Sequence, residues 1–395
     1  MRRTADAAAA TPKSAFVIGS IEISLSALRN NAQLLRDLVG PGHAAFVVKG
    51  NAYGHGIVET ALAVEPFARK LCVYSVDEAI ALRDGGVTAP ILILGPIPPD
   101  ALDEAMQTGA EVALWDTGEY VRALAAAAHR AHQRVKVHVK VNTGLNRLGL
   151  APEELQDAVE DYCHITDLEI AGIFSHLASA EEIDSPYTMF QLERFNQAYT
   201  QAEPVLASHG ALPIRHIAAS AAAMLWPQTR LDMSRFGIAL YGLWPSPQTR
   251  EAMNGGKLPL QPVLSYRTQL ITTRQIGAGE AVGYGTTFHA PRTMRIGVVP
   301  VGYADGVPRA LGNAGAALVD GVRCPIIGRV AMNMSVLDLS RAPQARSGTA
   351  VTLIGRDGDD AITADDWGAW TNSINYEVVT RLPSSIPRIY SDESK

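Results

Sequence analysis

Cysteine is scarce in this chain of 395 residues: Cys72, Cys163 and Cys324 stand far apart, with neither CxxC spacing nor a dense pattern. That argues against a disulfide scaffold or a zinc ribbon and suits reduced packing residues of a cytoplasmic protein. Positive charge is also short, with 34 Lys and Arg against 40 Asp and Glu and a net charge of −6. Nucleic acid and anionic membranes recruit basic faces, so neither is expected as the principal partner. No apolar run approaches the length of a membrane span. The opening segment "MRRTADAAAATPKSAF" carries two arginines but no continuous apolar stretch, which disfavours a cleaved signal. No metal site is expected: His129 and His132 in "HRAH" have helical spacing but sit in an alanine-rich amphipathic stretch, where a solvated face is the better reading.

What is present is apolar surface, 47% hydrophobic against 19% charged residues, in a chain long enough for two domains. From Ala44 to about Leu243, eight strand-like runs ("AAFVV", "LCVYS", "PILIL", "EVALW", "VKVHVKV", "LEIAGIF", "IRHIAA", "RFGIALYG") alternate with helix-like stretches. A doubly wound open sheet gives the same local signal, but the count of eight favours an α/β fold of the (β/α)8 TIM-type barrel class. After about Gly255 the texture changes to strands without intervening helices, with an Asp-Gly hairpin turn in "VDGVR" and one helix at "ITADDWGAW", capped by Thr363 with Asp366 three residues on. The expected division is a barrel domain over residues 1–255 and a mainly β C-terminal domain over 256–395.

In such a barrel, function sits at the C-terminal ends of the strands. Lys49 ends the first of the eight runs, in "VVKGNAYGHG". A lysine partly shielded from water has a depressed pKa and can condense with an aldehyde, although a strand-end lysine can equally reach solvent. The following loop adds Tyr53, His55 and three glycines that allow close backbone approach, as a plain turn would. In "VKVHVKV", alternation places Lys136, His138 and Lys140 on one face and the valines on the other. With the valines against the helices, three basic groups point inward, where unpaired charge is costly and needs compensation.

The Lys49 segment resembles the pyridoxal-phosphate lysine motif of alanine racemases. The likeness extends in order through "KVNTGLNRLG", "SHLASAE", "RFGIALYG", "VGYG", "VGYADGVPR", "GRVAMNM" and "NYEVVTRLPSSIPRIY". It implies a barrel followed by a β domain, and racemisation of alanine between L and D forms, supplying D-alanine for peptidoglycan. Lys49 would hold pyridoxal 5'-phosphate and act as one base, with Tyr284 as the second base, delivered from the partner subunit of a homodimer. Phosphate binding would fall to Tyr53, Ser220, the backbone of Gly237 and Ile238, and Tyr376. Arg235 would meet the cofactor's ring nitrogen, with His176 close to the ring. Lys140, carbamylated, would orient Arg147 on the phenolic oxygen; the alternative is a buried lysine paired with an ordinary carboxylate. Arg309 would support Tyr284, and Tyr303 and Met332 would stand on the substrate's access and carboxylate side. The chain departs from the family pattern at Asn142 and Asn333, where aspartate is expected, and at Ala219, where asparagine is expected. Competing readings are a broad-specificity or serine racemase, a non-catalytic carrier of the cofactor, which would lack the β domain, and a barrel-plus-β decarboxylase, which would carry an acidic residue in place of Arg235.

Overall fold

A computed structural model describes residues 19–253 and 258–392. The opening segment and the expected boundary at Gly255 lie outside the described residues. Two compact units are formed, one of residues 23–264, 375–381 and 390–392, the other of residues 19–22, 265–374 and 382–389. The chain therefore does not divide at a single point: its first described residues belong with the later unit, and 375–381 return to the earlier one.

A strand that texture did not reveal, β1 (Ser20–Ser24), opens the described chain. The barrel strands are β2 (Ala44–Val47), β3 (Lys70–Val73), β4 (Ile91–Ile93), β5 (Glu111–Leu114), β6 (Val135–Lys140), β7 (Leu168–Phe174), β8 (Ile214–His216) and β9 (Ser234–Phe236). All pair in parallel in the order β8-β7-β6-β5-β4-β3-β2-β9, so the first and last barrel strands meet. Between β8 and β9 no ladder forms, but Asp232 N–H donates to Arg215 O (3.1 Å) and Arg235 N–H to Ala218 O (3.0 Å), bringing the two ends of the sheet together. The eight-stranded barrel read from the sequence is thus present, with "RFGIALYG" shorter as a strand than expected because Ile238–Tyr241 turns into a 3-10 helix.

Helices follow the strands for legible reasons. In Glu119–Arg130, Val121, Leu124, Ala127 and Ala128 recur at helical spacing and are buried. Val76–Asp84 starts at Ser75, whose side chain caps the Glu78 N–H, with Asp77 and Glu78 in the first turn where the helix dipole favours anions. β2 and β4 are buried at every position, as expected of parallel strands with helices outside and side chains filling the inside. The inner packing includes Ala45, Val47, Cys72, Leu92 and Met233. All three cysteines are unpaired, Cys72 and Cys324 buried and Cys163 partly so.

The second unit is built on strands β10 (Leu264–Gln269), β11 (Thr272–Ile276), β12 (Ala281–Val282), β13 (Phe288–His289), β14 (Met294–Val299), β15 (Ala316–Val319), β16 (Val322–Pro325), β17 (Ser335–Asp338), β18 (Ala350–Asp357), β19 (Asp360–Ile362) and β20 (Arg388–Ser391). One sheet runs β16-β15-β18-β10-β1-β20, with β19 on β18, and a second runs β11-β14-β17. Asp320 and Gly321 both have positive φ (51° and 73°), the conformation an Asp-Gly two-residue hairpin requires. The expected helix spans Ala364–Thr371 with the Thr363/Asp366 capping box in place. A second helix, Asn375–Thr380, was not anticipated, and it belongs with the barrel.

Candidate active site

Lys49 follows β2 and opens a left-handed turn. Gly50, Asn51, Ala52 and Tyr53 all have φ between 52° and 64°. Such backbone costs roughly 1–2 kcal/mol per non-glycine residue, so it persists only where its surroundings hold it. Here the Glu78 carboxylate accepts from Gly50 N–H (2.6 Å) and Tyr74 N–H (2.8 Å), and Asn51 Oδ1 accepts from Ile57 N–H (3.0 Å). A Cβ on Gly54 would overlap the Val379 carbonyl oxygen, so the turn is seated directly against the helix at 375–380. The glycines of "GNAYGHG" therefore serve both a positive φ and a close approach.

The amine of Lys49 sits 5.7 Å from the Tyr74 ring centroid. Burial, then the Arg147 guanidinium, lower its pKa from the ordinary lysine value, while Glu78 opposes them. Lys140, the last residue of β6, is buried, and burial followed by Arg147, Arg235 and Lys49 bring it down to about 8. No carboxylate pairs with Lys140 among the described residues, which removes the ordinary ion pair as its compensation. On β6, His138 and Lys140 are buried, whereas Lys136, near the start of the strand, is exposed and lines a cavity with Lys70 and Glu111.

Arg235 on β9 is 3% exposed and spends its donors on Ser175 O (2.9 Å), Ile217 O (3.2 Å), His176 Nδ1 (3.3 Å) and His216 Nδ1 (2.5 Å). Burial pulls it to about 10, so it remains a cation at neutral pH. Burial and the same cations push His176 down to about 3, leaving a neutral imidazole.

Beside this group lies a cradle of hydroxyls. Ser220, at the first turn of the helix Ser220–Leu225, accepts from Gly237 N–H (3.1 Å). The Tyr53 hydroxyl occupies the place a side chain at 237 would take, and the Tyr53 ring lies 6.3 Å from that of Tyr376 and 5.0 Å from that of Tyr241. Burial raises Tyr53 to about 12 and Tyr376 well above the usual phenol range, so both are hydroxyl donors. Lys49, Tyr53, Lys140, His176, Ser220, Arg235, Gly237, Ile238 and Tyr376 thus all belong to the barrel unit, and Arg147 to the loop after β6.

Tyr284, Tyr303, Arg309 and Met332 belong to the other unit. Tyr284 lies between Gly283 and Gly285 (φ 75° and 70°) in the turn joining β12 to β13, and is 74% exposed. Tyr303 and Met332 are exposed too, as is Arg309, and no hydrogen bond joins Arg309 to Tyr284 among the described residues.

The three departures have local explanations of unequal strength. Asn142 Oδ1 accepts from Gly144 and Asn146 N–H (3.2 and 2.9 Å) while its amide donates to Asn146 Oδ1 (3.0 Å), a bond that aspartate could not make. The Asn333 amide donates to Asp305 Oδ2 (3.3 Å), where a carboxylate would be repelled. Ala219 leaves the following helix without a side-chain cap, and nothing in the structure accounts for it. His129 faces Asp167 at 3.5 Å, on an exposed surface. Sequence reasoning missed Glu78, Glu111 and His216; the latter two were legible only as polar residues inside strand-like runs.

Family models describe the two parts separately. That of the alanine racemase N-terminal domain matches residues 23–245, and that of the C-terminal domain residues 263–390. An alanine racemase of Symbiobacterium thermophilum is 38% identical over 375 residues, covering 94% of this chain and 97% of that protein. One from Methanococcus maripaludis is 34% identical over 373 residues, covering 93% and 97%. Among solved structures, alanine racemase from the D-cycloserine producer Streptomyces lavendulae is similar with a TM-score of 0.89 at 32% identity, over 96% of this chain and 98% of that one. Alanine racemase from Bartonella henselae with covalently bound pyridoxal phosphate has a TM-score of 0.82 at 28% identity, over 94% and 99%.

Proposed function

The chain belongs to the alanine racemase family, and from that premise we infer that it interconverts L- and D-alanine with Lys49 and Tyr284 as its two bases, pyridoxal 5'-phosphate as cofactor and a homodimer as the working unit. The observation that carries this reading is the amine of Lys49, set at the end of a barrel strand on a strained turn, with burial and Arg147 disfavouring its charged form.

The residues present fit the cofactor. Lys49, Lys140, Arg147 and Arg235 crowd positive charge that acts on one another, and an anionic group answers it. Tyr53, whose hydroxyl can sit against the backbone at 237 only because that residue is glycine, together with Ser220, Tyr376 and the Gly237 and Ile238 backbone, offers a phosphate dianion neutral donors. Bound through Lys49, pyridoxal phosphate supplies an electron-withdrawing ring that stabilises negative charge at the substrate Cα. Arg235 cannot act as an acid at neutral pH, so it leaves the ring nitrogen unprotonated and favours prompt return of a proton to Cα over side reactions.

Lys49 Nζ, neutral when it acts, serves the D face of Cα, and Tyr284 Oη of the partner subunit serves the L face; one removes a proton and the other returns one from the opposite side. The exposure of Tyr284, Tyr303 and Met332 supports their delivery to a second copy of this chain. Lys140, whose neutral form is accessible near pH 8, adds CO2 as a carbamate with loss of one proton, and the resulting anion orients Arg147. Cytoplasmic placement and supply of D-alanine to peptidoglycan are part of the same reading; no helix among the described residues is long and apolar enough to cross a membrane.

Proton exchange at Cα in deuterated buffer, with L-alanine, L-serine and L-lysine compared and optical inversion followed, tests it. Inversion of alanine well ahead of the others is expected. Comparable inversion of the larger substrates would favour a broad-specificity racemase, and no exchange despite bound cofactor would refute the assignment.

A further inference from the structure

A line of buried polar side chains crosses the barrel interior behind Arg235. Lys70 Nζ on β3 meets Glu111 Oε1 on β5 (2.5 Å), Glu111 Oε2 meets His138 Nε2 on β6 (2.6 Å), His138 Nδ1 meets His216 Nε2 on β8 (2.7 Å), and His216 Nδ1 meets Arg235 on β9 (2.5 Å). Both imidazoles are fully buried, and Glu111 is 6% exposed.

The two ends of this line dictate its protons. Lysine and arginine only donate, and a neutral imidazole donates on one side and accepts on the other. Arg235 therefore requires a lone pair on His216 Nδ1, so His216 carries its proton on Nε2 and donates to His138 Nδ1. His138 then carries its proton on Nε2 and donates to Glu111. Between two obligate donors, the line closes without a collision only if one member accepts on both sides, and the ionised Glu111 carboxylate is that member. The rings are clamped accordingly. Phe174 stacks on His216 (centroids 4.8 Å, 8° between planes), and His138 fills the space left by the missing side chain of Gly172, its neighbour across β6 and β7.

We propose that Glu111 and His138 are positioning residues for Arg235: the carboxylate fixes the tautomers of two imidazoles in series, so that His216 holds the guanidinium by an accepted hydrogen bond in the orientation that faces the cofactor's ring nitrogen. The proposal rests on the reading of Arg235 given above. Without the carboxylate, Nη1 of Arg235 loses its fixed acceptor while Ser175 O and Ile217 O still hold Nη2, so the guanidinium is less tightly aimed and the proton-return preference that Arg235 imposes is weakened.

The test is 15N NMR of the histidine rings in the full-length protein, with and without pyridoxal phosphate, alongside Glu111→Gln and the double variant Lys70→Met/Glu111→Gln. In the parent protein both rings are expected as Nε2–H tautomers in either state; an Nδ1–H form of either would overturn the proposal without reference to catalysis or to any variant's folding. A glutamine at 111 must place its amide donor against either Lys70 or His138. Glu111→Gln is therefore expected to disturb the tautomers and to lower kcat by about tenfold to a hundredfold, the rate equivalent of one hydrogen bond to a charged group, with KM nearly unchanged and more side transamination per turnover. Replacing Lys70 as well removes one obligate donor, so tautomers and kcat should recover together; the freed amide can turn to the cavity of about 550 Å³ that Lys70 and Glu111 line. A merely structural role predicts instead that the two substitutions compound, that only thermal stability falls, and that the partition between racemisation and transamination stays fixed, which would overturn the proposal. Absence of racemisation in the parent protein with its tautomers as expected would count against the proposed function and against Arg235 as the relay's purpose, while leaving the tautomer chain standing.

Discussion

The barrel unit and the β unit carry their functional residues in opposite ways. Around Lys49 the barrel accepts cost: four left-handed residues in a row, crowded cations, and buried histidines held neutral. The β unit buries a hydrophobic core, including Val282, Met294 and Ile296, and leaves Tyr284, Tyr303 and Met332 exposed. On the proposed reading, the barrel half of the site is in place within one chain, and the exposed residues of the β unit would act on a second copy. Substitution in the barrel should therefore disturb stability and chemistry together, whereas substitution at the exposed tyrosine should disturb chemistry alone.

The largest effect belongs to Lys49→Ala, which should lower racemisation by about 10³-fold or more, since on the proposed reading it removes both the cofactor's anchor and one base. Its melting temperature should rise, since a partly buried amine among cations is relieved. Tyr284→Phe comes next, with a loss of about 10²–10³-fold in the rate of inversion from L-alanine, read by polarimetry. Its melting temperature should match the parent protein's; a marked fall would break the contrast between the units.

Acid should separate the two regions. Burial lowers the folded pKa of His138, His176 and His216, so below about pH 6.5 the unfolded chain binds protons that the folded barrel refuses, and stability falls by up to about 1.4 kcal/mol per pH unit for each. Glu111, held at about 2 by His138 and Lys70 against the pull of burial, contributes stability present above the unfolded carboxylate value and lost as pH falls toward 2. Both act in the same direction. The single histidine of the β unit, His289, is exposed. Amide exchange between pH 7 and 4 should therefore show the barrel losing protection first.

The smallest effects compare the strained turn with the turn that follows the helix Val76–Asp84. Gly54→Ala would meet both a positive φ and the Val379 carbonyl, and should destabilise by about 2–4 kcal/mol in denaturant titration. Gly86→Ala has a positive φ but open space, and should cost only about 1 kcal/mol. Equal costs would mean that the seat against 375–380 does not hold the turn.

Much of this was legible in the sequence because it is written in local pattern. Alternating strands and helices announced the barrel, Asp320-Gly321 the hairpin turn of the β unit, and "VVKGNAYGHG" a lysine at a strand end. The rest depends on contacts between distant segments. The side chains of Glu111 and His216 are read as members of one line only when β5, β6 and β8 are placed around a closed interior. The pairing of β1 with β10 and β20 and the return of the helix at 375–380 to the barrel were equally hidden, since no local signal tells a segment which unit it joins. Lys136 keeps the face that alternation gives it but reaches solvent, because it stands at the open end of β6, where it lines one cavity with Lys70 and Glu111.

Complementation between two inactive variants tests the central claim most directly. Lys49→Ala and Tyr284→Phe proteins, mixed in equal amounts and allowed to exchange subunits, form mixed dimers in which one site lacks both bases and the other keeps both, if each site draws its bases from different subunits. Activity should then rise to about a quarter of the parent level, since half the dimers are mixed and half their sites are intact. If both bases came from the same subunit, every site would lack one of them, and a mixture no more active than its components would contradict the account.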